Sequence, residues 1–102
     1  MGRVKRSEYI EISKRILQIL YRETCYGKGS LYIDAIKRGA PKNQLDKFEI
    51  VIEALVKQEI CGKKKKEHGW KYFLNMERID KIEEILQVDD NPFRILLILH
   101  NL

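Results

Sequence analysis

Residues 42–74 read KNQLDKFEIVIEALVKQEICGKKKKEHGWKYFL, and this stretch decides the fold that the sequence predicts. In its first half, apolar residues recur at steps of three and four, which is the period of a helix with one buried side. These apolar positions are Leu45, Phe48, Val51, Ile52, Leu55 and Val56. Residues 42–58 are therefore predicted to form an amphipathic helix.

The second half of this stretch predicts a hairpin. Residues 59–62 and 70–74 have the composition of two short strands, and residues 63–69 between them predict a lysine-rich tip. Trp70, Tyr72 and Phe73 admit two interpretations, a stacking platform for single-stranded nucleic acid or a strand with one side packed on the helices. We favour packing in the core.

The residues before this stretch predict two further helices. The first is expected at residues 8–22, with Ser7 as its N-cap. Two glycines in residues 24–30 predict a turn, with room for one short strand. A compact second helix is expected at residues 31–36, closed by Gly39 as a left-handed C-cap and by a turn at Pro41. A short helix, a turn and a longer helix make a helix-turn-helix, in which the second helix is the reader.

The residues after the hairpin predict a C-terminal helical segment. One helix is expected around residues 76–86, and Asn91 with Pro92 would begin a second one at residues 93–101. That last helix is apolar on nearly every side, so it must be covered by a second subunit or fold back on the chain. We expect dimerisation. The expected dimer contacts are Ile79, Ile82, Leu86, Phe93, Leu96, Leu97 and Leu99.

Together these patterns predict an α+β, mostly helical fold in two parts. Residues 1–74 would form a winged helix-turn-helix domain, with three helices, a two- or three-stranded wing sheet and a basic N-terminal arm. Residues 75–102 would form the dimerisation segment with two C-terminal helices. A length of 102 residues suits one modest core.

Charge is distributed unevenly along the chain. The formal net charge is +5, but residues 1–74 hold 17 Lys and Arg against 9 Asp and Glu, whereas residues 75–102 hold 3 against 6. A basic body indicates a polyanionic partner, and the alternative is simple clustering of surface charge. The longest apolar run, residues 95–99, is far shorter than the roughly 20 residues of a membrane span. We expect a cytoplasmic protein with no membrane contact.

Binding to double-stranded DNA requires cations for phosphates and polar side chains for base edges. The candidates lie in the arm, the helix start and the hairpin tip: Arg3, Lys5, Arg6, Lys42, Asn43, Gln44, Lys47, Lys63, Lys64, Lys65 and Lys66. Asp46, Glu49 and Glu53 oppose groove binding by the same helix, unless lysines at helical spacing, such as Lys42 and Lys57, neutralise them. We therefore favour phosphate contacts by arm and wing over base readout. The alternative for the four lysines is protection of an edge strand.

No other chemistry is indicated. Cys25 and Cys61, with His68 and His100, lack the spacing of a metal site, and we expect no metal or cofactor. No nucleophile stands beside a base in a catalytic pattern, so we expect no enzyme. Reduced thiols are the expectation for an ordinary cytosol, and a Cys25 to Cys61 bridge stays open.

Residues 6–17, the turn at Gly39 and Ala40, and residues 55–60 leading into the hairpin resemble the small archaeal winged-helix DNA-binding proteins. The resemblance covers roughly residues 5–87. It implies a dimeric transcriptional regulator on double-stranded DNA, paired through a C-terminal helix. This chain has Glu59 where many relatives have Gly, and residues 89–92 interrupt the long terminal helix. Two alternatives stay open: a protein-interaction module of a larger assembly, and weakly specific chromatin-type DNA binding.

Overall fold

The computed structural model describes residues 4–87, which form four helices and a three-stranded antiparallel sheet. Most of these residues are helical, so the predicted α+β, mostly helical class is confirmed. In chain order the elements are α1 (Arg6–Arg22), β1 (Leu31–Tyr32), α2 (Ile33–Lys37), a 3₁₀ turn (Lys42–Gln44), α3 (Leu45–Lys57), β2 (Cys61–Lys66), β3 (Gly69–Leu74), a second 3₁₀ turn (Met76–Arg78) and α4 (Ile79–Gln87).

Helix α1 begins two residues earlier than predicted. Lys5 is its N-cap, and the Glu8 carboxylate accepts a hydrogen bond from the Lys5 backbone N–H at 3.4 Å. A carboxylate in the first turn satisfies a donor that would otherwise lack a partner. Ser7 is therefore not the N-cap, and the predicted arm is shorter than expected because Arg6 already belongs to the helix.

The second predicted helix also changes its start and its end. Leu31 pairs with Tyr72 in the sheet, so β1 takes the first residue assigned to the helix and α2 begins at Ile33. Gly39 is not a left-handed C-cap. Helix α2 instead continues into a tight turn, with Arg38 in helical geometry and the Ala40 N–H donating to the Lys37 carbonyl at 2.9 Å.

Helix α3 starts at Leu45 rather than at residue 42. Pro41 has an extended backbone, and the three residues after it form the 3₁₀ turn Lys42–Gln44, which ends at Gln44 with a φ of −115°. The predicted helix of residues 42–58 is thus correct in position, but its first turn has different geometry. Lys42, Asn43 and Gln44 lie on this turn.

Helix α3 ends in a Schellman motif that contains no glycine. The Ile60 N–H donates to the Leu55 carbonyl at 3.0 Å, and Glu59 occupies the left-handed position with φ of 63°. Thr24 holds the equivalent position after α1, with φ of 53°. The departure at Glu59 noted in the sequence therefore falls on a position where glycine is ordinarily preferred.

The hairpin is longer and tighter than predicted. Strands β2 and β3 pair from Cys61 opposite Leu74 to Lys66 opposite Gly69, which leaves a turn of residues 67–68 only. The prediction of a tip at residues 63–69 is therefore wrong, because the four lysines lie inside β2. Gly69, with φ of 118°, provides the backbone geometry that this short turn requires. Strand β1 pairs with the other edge of β3.

One hydrophobic core joins α1, α3, the inner side of the sheet and α4. Ile82 and Ile85 of α4 are fully buried in it, and Tyr21 of α1 donates to the Glu83 carboxylate at 2.7 Å. We expected Ile82 to contact a second subunit, but its own chain covers it. Ile79 and Leu86 are partly buried against the same core. Phe93, Leu96, Leu97 and Leu99 lie outside the described residues, as does Arg3.

Within residues 4–87 no helix has the length and apolarity needed to cross a bilayer.

Candidate nucleic-acid interface

The three-stranded sheet has two chemically different faces, because alternate strand residues point to opposite sides. The inner face packs on the helices and includes the buried residues Cys61, Tyr72 and Leu74. The opposite side carries a mixture of lysines and aromatic residues. We call it the outer face and define it by Tyr32, Lys64, Lys66, Lys71 and Phe73.

The outer face places lysines directly opposite each other. Lys64 of β2 pairs with Lys71 of β3, and Lys66 lies two residues further along the same side. Like charges in this arrangement destabilise a sheet. The ammonium groups lie near aromatic rings instead of carboxylates: Lys71 Nζ is 4.9 Å from the centroid of Tyr32 and Lys64 Nζ is 5.9 Å from that of Phe73. Among residues 4–87 no carboxylate forms an ion pair with these lysines, so the outer face is a concentrated cationic surface.

The inner-face lysines have different partners. Lys63 Nζ lies 2.5 Å from Oε1 of Glu53 on α3 and 4.6 Å from the Trp70 ring centroid. Lys65 Nζ lies 5.7 Å from the same ring. Because it is paired with Glu53, Lys63 is a poor candidate for a phosphate contact. The four consecutive lysines thus divide into two pairs with different environments.

Glu53 also receives a hydrogen bond from the core. The Tyr72 hydroxyl donates to Glu53 Oε2 at 3.2 Å. Burial, followed by the nearby Glu53 charge, raises the pKa of Tyr72 to about 12. Glu53 therefore links α3 to both strands of the hairpin and fixes how the hairpin lies against the helix.

Lys47 was among the predicted DNA contacts, but it lies on the side of α3 that faces α1. Its Nζ is 2.6 Å from Oε2 of Glu8, and the two side chains are only 18% and 20% exposed. This hydrogen bond holds the pKa of Glu8 below its ordinary value. Lys47 therefore joins two helices of the same chain and points away from any groove that the outward side of α3 could enter.

The outward side of α3 carries Asp46, Glu49, Ile50 and Glu53. Glu49 pairs with Lys37 of α2 at 2.7 Å, and Glu53 pairs with Lys63 rather than with Lys57 as expected from helical spacing. Ile50 is 39% exposed between them. Two of the three carboxylates are thus neutralised by lysines from other elements, which leaves this side of the helix close to neutral.

The other predicted contacts among residues 4–87 are exposed or half-buried. Lys42 and Asn43 are exposed and Gln44 is half-buried on the turn before α3, while Lys5 and Arg6 are exposed at the start of α1. Lys71 was not among the predicted contacts. It is the middle residue of a strand with an alternating pattern, but its position opposite Lys64 depends on the hairpin register, which local pattern does not determine.

The two cysteines are free and buried, so no bridge joins them. Burial raises the pKa of both thiols, most strongly that of Cys61. Within the described part of the chain, no group of His, Cys, Asp and Glu side chains could hold a metal ion.

Comparison of the chain with protein-family models, with curated proteins and with solved structures gave no match.

Proposed function

We propose that this protein binds double-stranded DNA as a dimeric transcriptional regulator, with the outer face of the sheet on the phosphate backbone. The element order, three helices followed by a hairpin, is compatible with a winged helix-turn-helix. In this proposal the turn Lys42–Gln44 meets a groove edge. The described residues supply a cationic sheet surface and an exposed polar turn for these two contacts.

The observation that carries the proposal is the opposed pair Lys64 and Lys71. Two lysines facing each other across a hairpin oppose folding, and Lys66 adds a third charge to the same side. Edge protection does not require Lys71, because β3 is the central strand of the sheet. A phosphate backbone would relieve the repulsion by bringing negative charge between the ammonium groups.

Helix α3 has a smaller role in this proposal than the sequence suggested. Two of its three outward carboxylates are paired and Lys47 faces α1, so base readout falls to Asn43 and Gln44 at the start of the helix. Few base contacts and many phosphate contacts favour weak sequence preference. This gives support to the chromatin-type variant of the proposal, in which binding covers many sites.

The dimer rests on the sequence. Ile82 is covered by its own chain, so the proposed contact is assigned to Phe93, Leu96, Leu97 and Leu99. Light scattering of the purified protein would test it, with a dimer mass of twice 12.1 kDa as the expected result.

The test of DNA binding is fluorescence anisotropy with a labelled random-sequence duplex, at about 50 and 200 mM salt. A variant with Lys64→Gln, Lys66→Gln and Lys71→Gln should bind more weakly on every sequence. The slope of its affinity against salt should become shallower by up to about 0.9 for each lysine that neutralises a phosphate in the wild type. The matched control removes three exposed lysines elsewhere, through Lys28→Gln, Lys57→Gln and Lys81→Gln. Equal weakening in the two variants would contradict the assignment of the outer face.

A second candidate function is protein interaction, which the exposed Ile50 among three carboxylates on α3 favours. Such a surface suits a partner that offers an apolar residue to Ile50 and a basic residue to Asp46, which has no ion pair among residues 4–87. If the wild-type protein fails to bind duplex DNA even at about 50 mM salt, this candidate replaces the first. Ile50→Ser should leave DNA affinity unchanged under the first function.

A further inference from the structure

A groove of about 480 Å³ lies between α1 and α2, on the inner side of β1. Three arginines surround it: Arg15 and Arg22 from α1 and Arg38 from the end of α2. Its floor is apolar and consists of Ile19, Leu31 and Ala35 above the buried core. Leu31 belongs to the inner face of the sheet and its neighbour Tyr32 to the outer face, so the groove is separate from the outer face.

The charges around this groove are unbalanced. Among residues 4–87, Glu23 is the one acidic residue that lines it, and its Oε2 lies 3.8 Å from Arg22 Nε with both side chains largely exposed. Arg15 and Arg38 form no side-chain hydrogen bond or ion pair with any other residue in the range 4–87. Arg15 and Arg22 are seven residues apart on α1, with Gln18 and Ile19 rather than carboxylates between them. Two unpaired guanidinium groups therefore lie beside one apolar surface.

We propose that this groove binds a small organic anion, with a carboxylate or phosphate group held by the arginines and an apolar body on the floor. Guanidinium groups present planar, paired donors that match both oxyanions. The volume lies in the range of small-molecule sites, which combine apolar walls with a few polar groups.

Arg15 connects the groove to the turn before α3. A Cβ atom at Gly39 would lie 3.4 Å from an Nη atom of Arg15, so this guanidinium rests against the backbone between α2 and α3. Arg15 also lines a second opening of about 170 Å³, together with Gln44 and Phe48. An anion that binds Arg15 in the groove would therefore move its guanidinium group relative to Gly39 and Gln44, which lie just before α3.

Titration calorimetry with phenyl phosphate, benzoate and inorganic phosphate tests the proposal on the full chain. We expect phenyl phosphate to bind more tightly than inorganic phosphate, because only the former covers the apolar floor. Arg15→Gln and Arg38→Gln should each weaken binding by about tenfold or more, as expected for a charge-assisted hydrogen bond. Ala35→Leu should weaken binding of phenyl phosphate while sparing that of inorganic phosphate. Circular dichroism establishes that each variant is folded.

The matched controls separate this site from general charge attraction and from DNA binding. Lys28→Gln with Lys57→Gln removes two positive charges elsewhere and should leave phenyl phosphate binding unchanged. The variant lacking Lys64, Lys66 and Lys71 should also retain it, so the anion site can stand if the proposed DNA function fails. Equal affinity for phenyl phosphate and inorganic phosphate would overturn the proposal. The proposal would also be overturned if the wild-type protein bound no phenyl phosphate while Arg15→Gln lost binding to duplex DNA. That result would assign these arginines to the DNA backbone.

Discussion

The outward side of α3 and the outer face of the sheet both carry several charges, but they present different fields. On α3, Glu49 and Glu53 receive lysines from α2 and β2, so most of the charge is neutralised within the chain. On the outer face, Lys64 and Lys71 oppose each other and contact rings. The number of charged residues therefore does not decide which surface can attract a polyanion. What decides it is whether the charged side chains are paired with opposite charges of the same chain.

The largest expected effect is a loss of folding stability at high pH. There Tyr72 loses the proton that its hydroxyl donates to Glu53 on the paired side of α3. The pKa of Tyr72 is about 12 in the folded chain and about 10 for an unperturbed tyrosine, so the unfolded state loses its proton first as pH rises. This contribution to stability is complete below pH 10 and is lost by about pH 12, which lowers the free energy of unfolding by about 3 kcal/mol.

Urea unfolding at several pH values would measure this decline. Other tyrosines and the lysines also titrate in this range, so Tyr72→Phe is the necessary control. Its free energy of unfolding should fall less steeply between pH 10 and 12 than that of the wild type. Parallel declines in the two proteins would mean that Tyr72 is not the responsible group.

Two neighbouring lysines provide the next test. Lys63→Gln leaves Glu53 without its cation and should reduce the free energy of unfolding by about 0.5 to 1 kcal/mol, a value discounted for partial exposure. It should change DNA affinity little, because Lys63 is already paired. Lys65→Gln is the matched control, since Lys65 shares the Trp70 ring but has no carboxylate partner among residues 4–87. A larger loss of stability in the control would reverse our interpretation of the inner face.

A single reversal of charge on the outer face should make the protein more stable and a weaker binder. Lys64→Glu converts an opposed lysine pair into an ion pair with Lys71 and should add about 0.5 kcal/mol to the free energy of unfolding. DNA affinity should fall at the same time, and Lys64→Gln should give an intermediate result for both quantities. Chemical denaturation and anisotropy measure the two effects. A variant that loses stability would show that the opposed lysines do not repel.

The smallest effect is expected at Asp46, the outward carboxylate of α3 that has no ion pair among residues 4–87. If only the turn Lys42–Gln44 meets the groove edge and α3 itself stays away from the phosphates, Asp46→Asn should raise DNA affinity by less than about twofold at physiological salt, because screening weakens charges beyond about 8 Å. Anisotropy with the same duplex measures this change. A severalfold increase would place α3 much closer to DNA than we propose.

Local pattern was sufficient to predict α1, α3 and the existence of the hairpin, because helical periodicity and aromatic strands are encoded over short distances. The failures at side-chain contacts involve partners distant in sequence, whereas those at Ser7, Gly39 and the start of α3 concern local backbone geometry. Lys47 pairs with Glu8, 39 residues away, and Lys63 pairs with Glu53 across two elements. The register of the hairpin decides whether Lys63 or Lys64 lies on the outer face of the sheet. A shift of one residue in that register would exchange the two. The lysine-rich surface of the hairpin was therefore predicted in composition but not in geometry.

The buried thiol of Cys61 can report how often the hairpin opens. This thiol is 3% exposed in the first residue of β2, and burial raises its pKa, so an alkylating reagent meets no reactive thiolate in the closed state. Reaction requires β2 to separate from the helices, and the alkylation rate then reports the population of that opened form. Cys61 can thus serve as a native label for the frequency with which the hairpin opens, with and without DNA present.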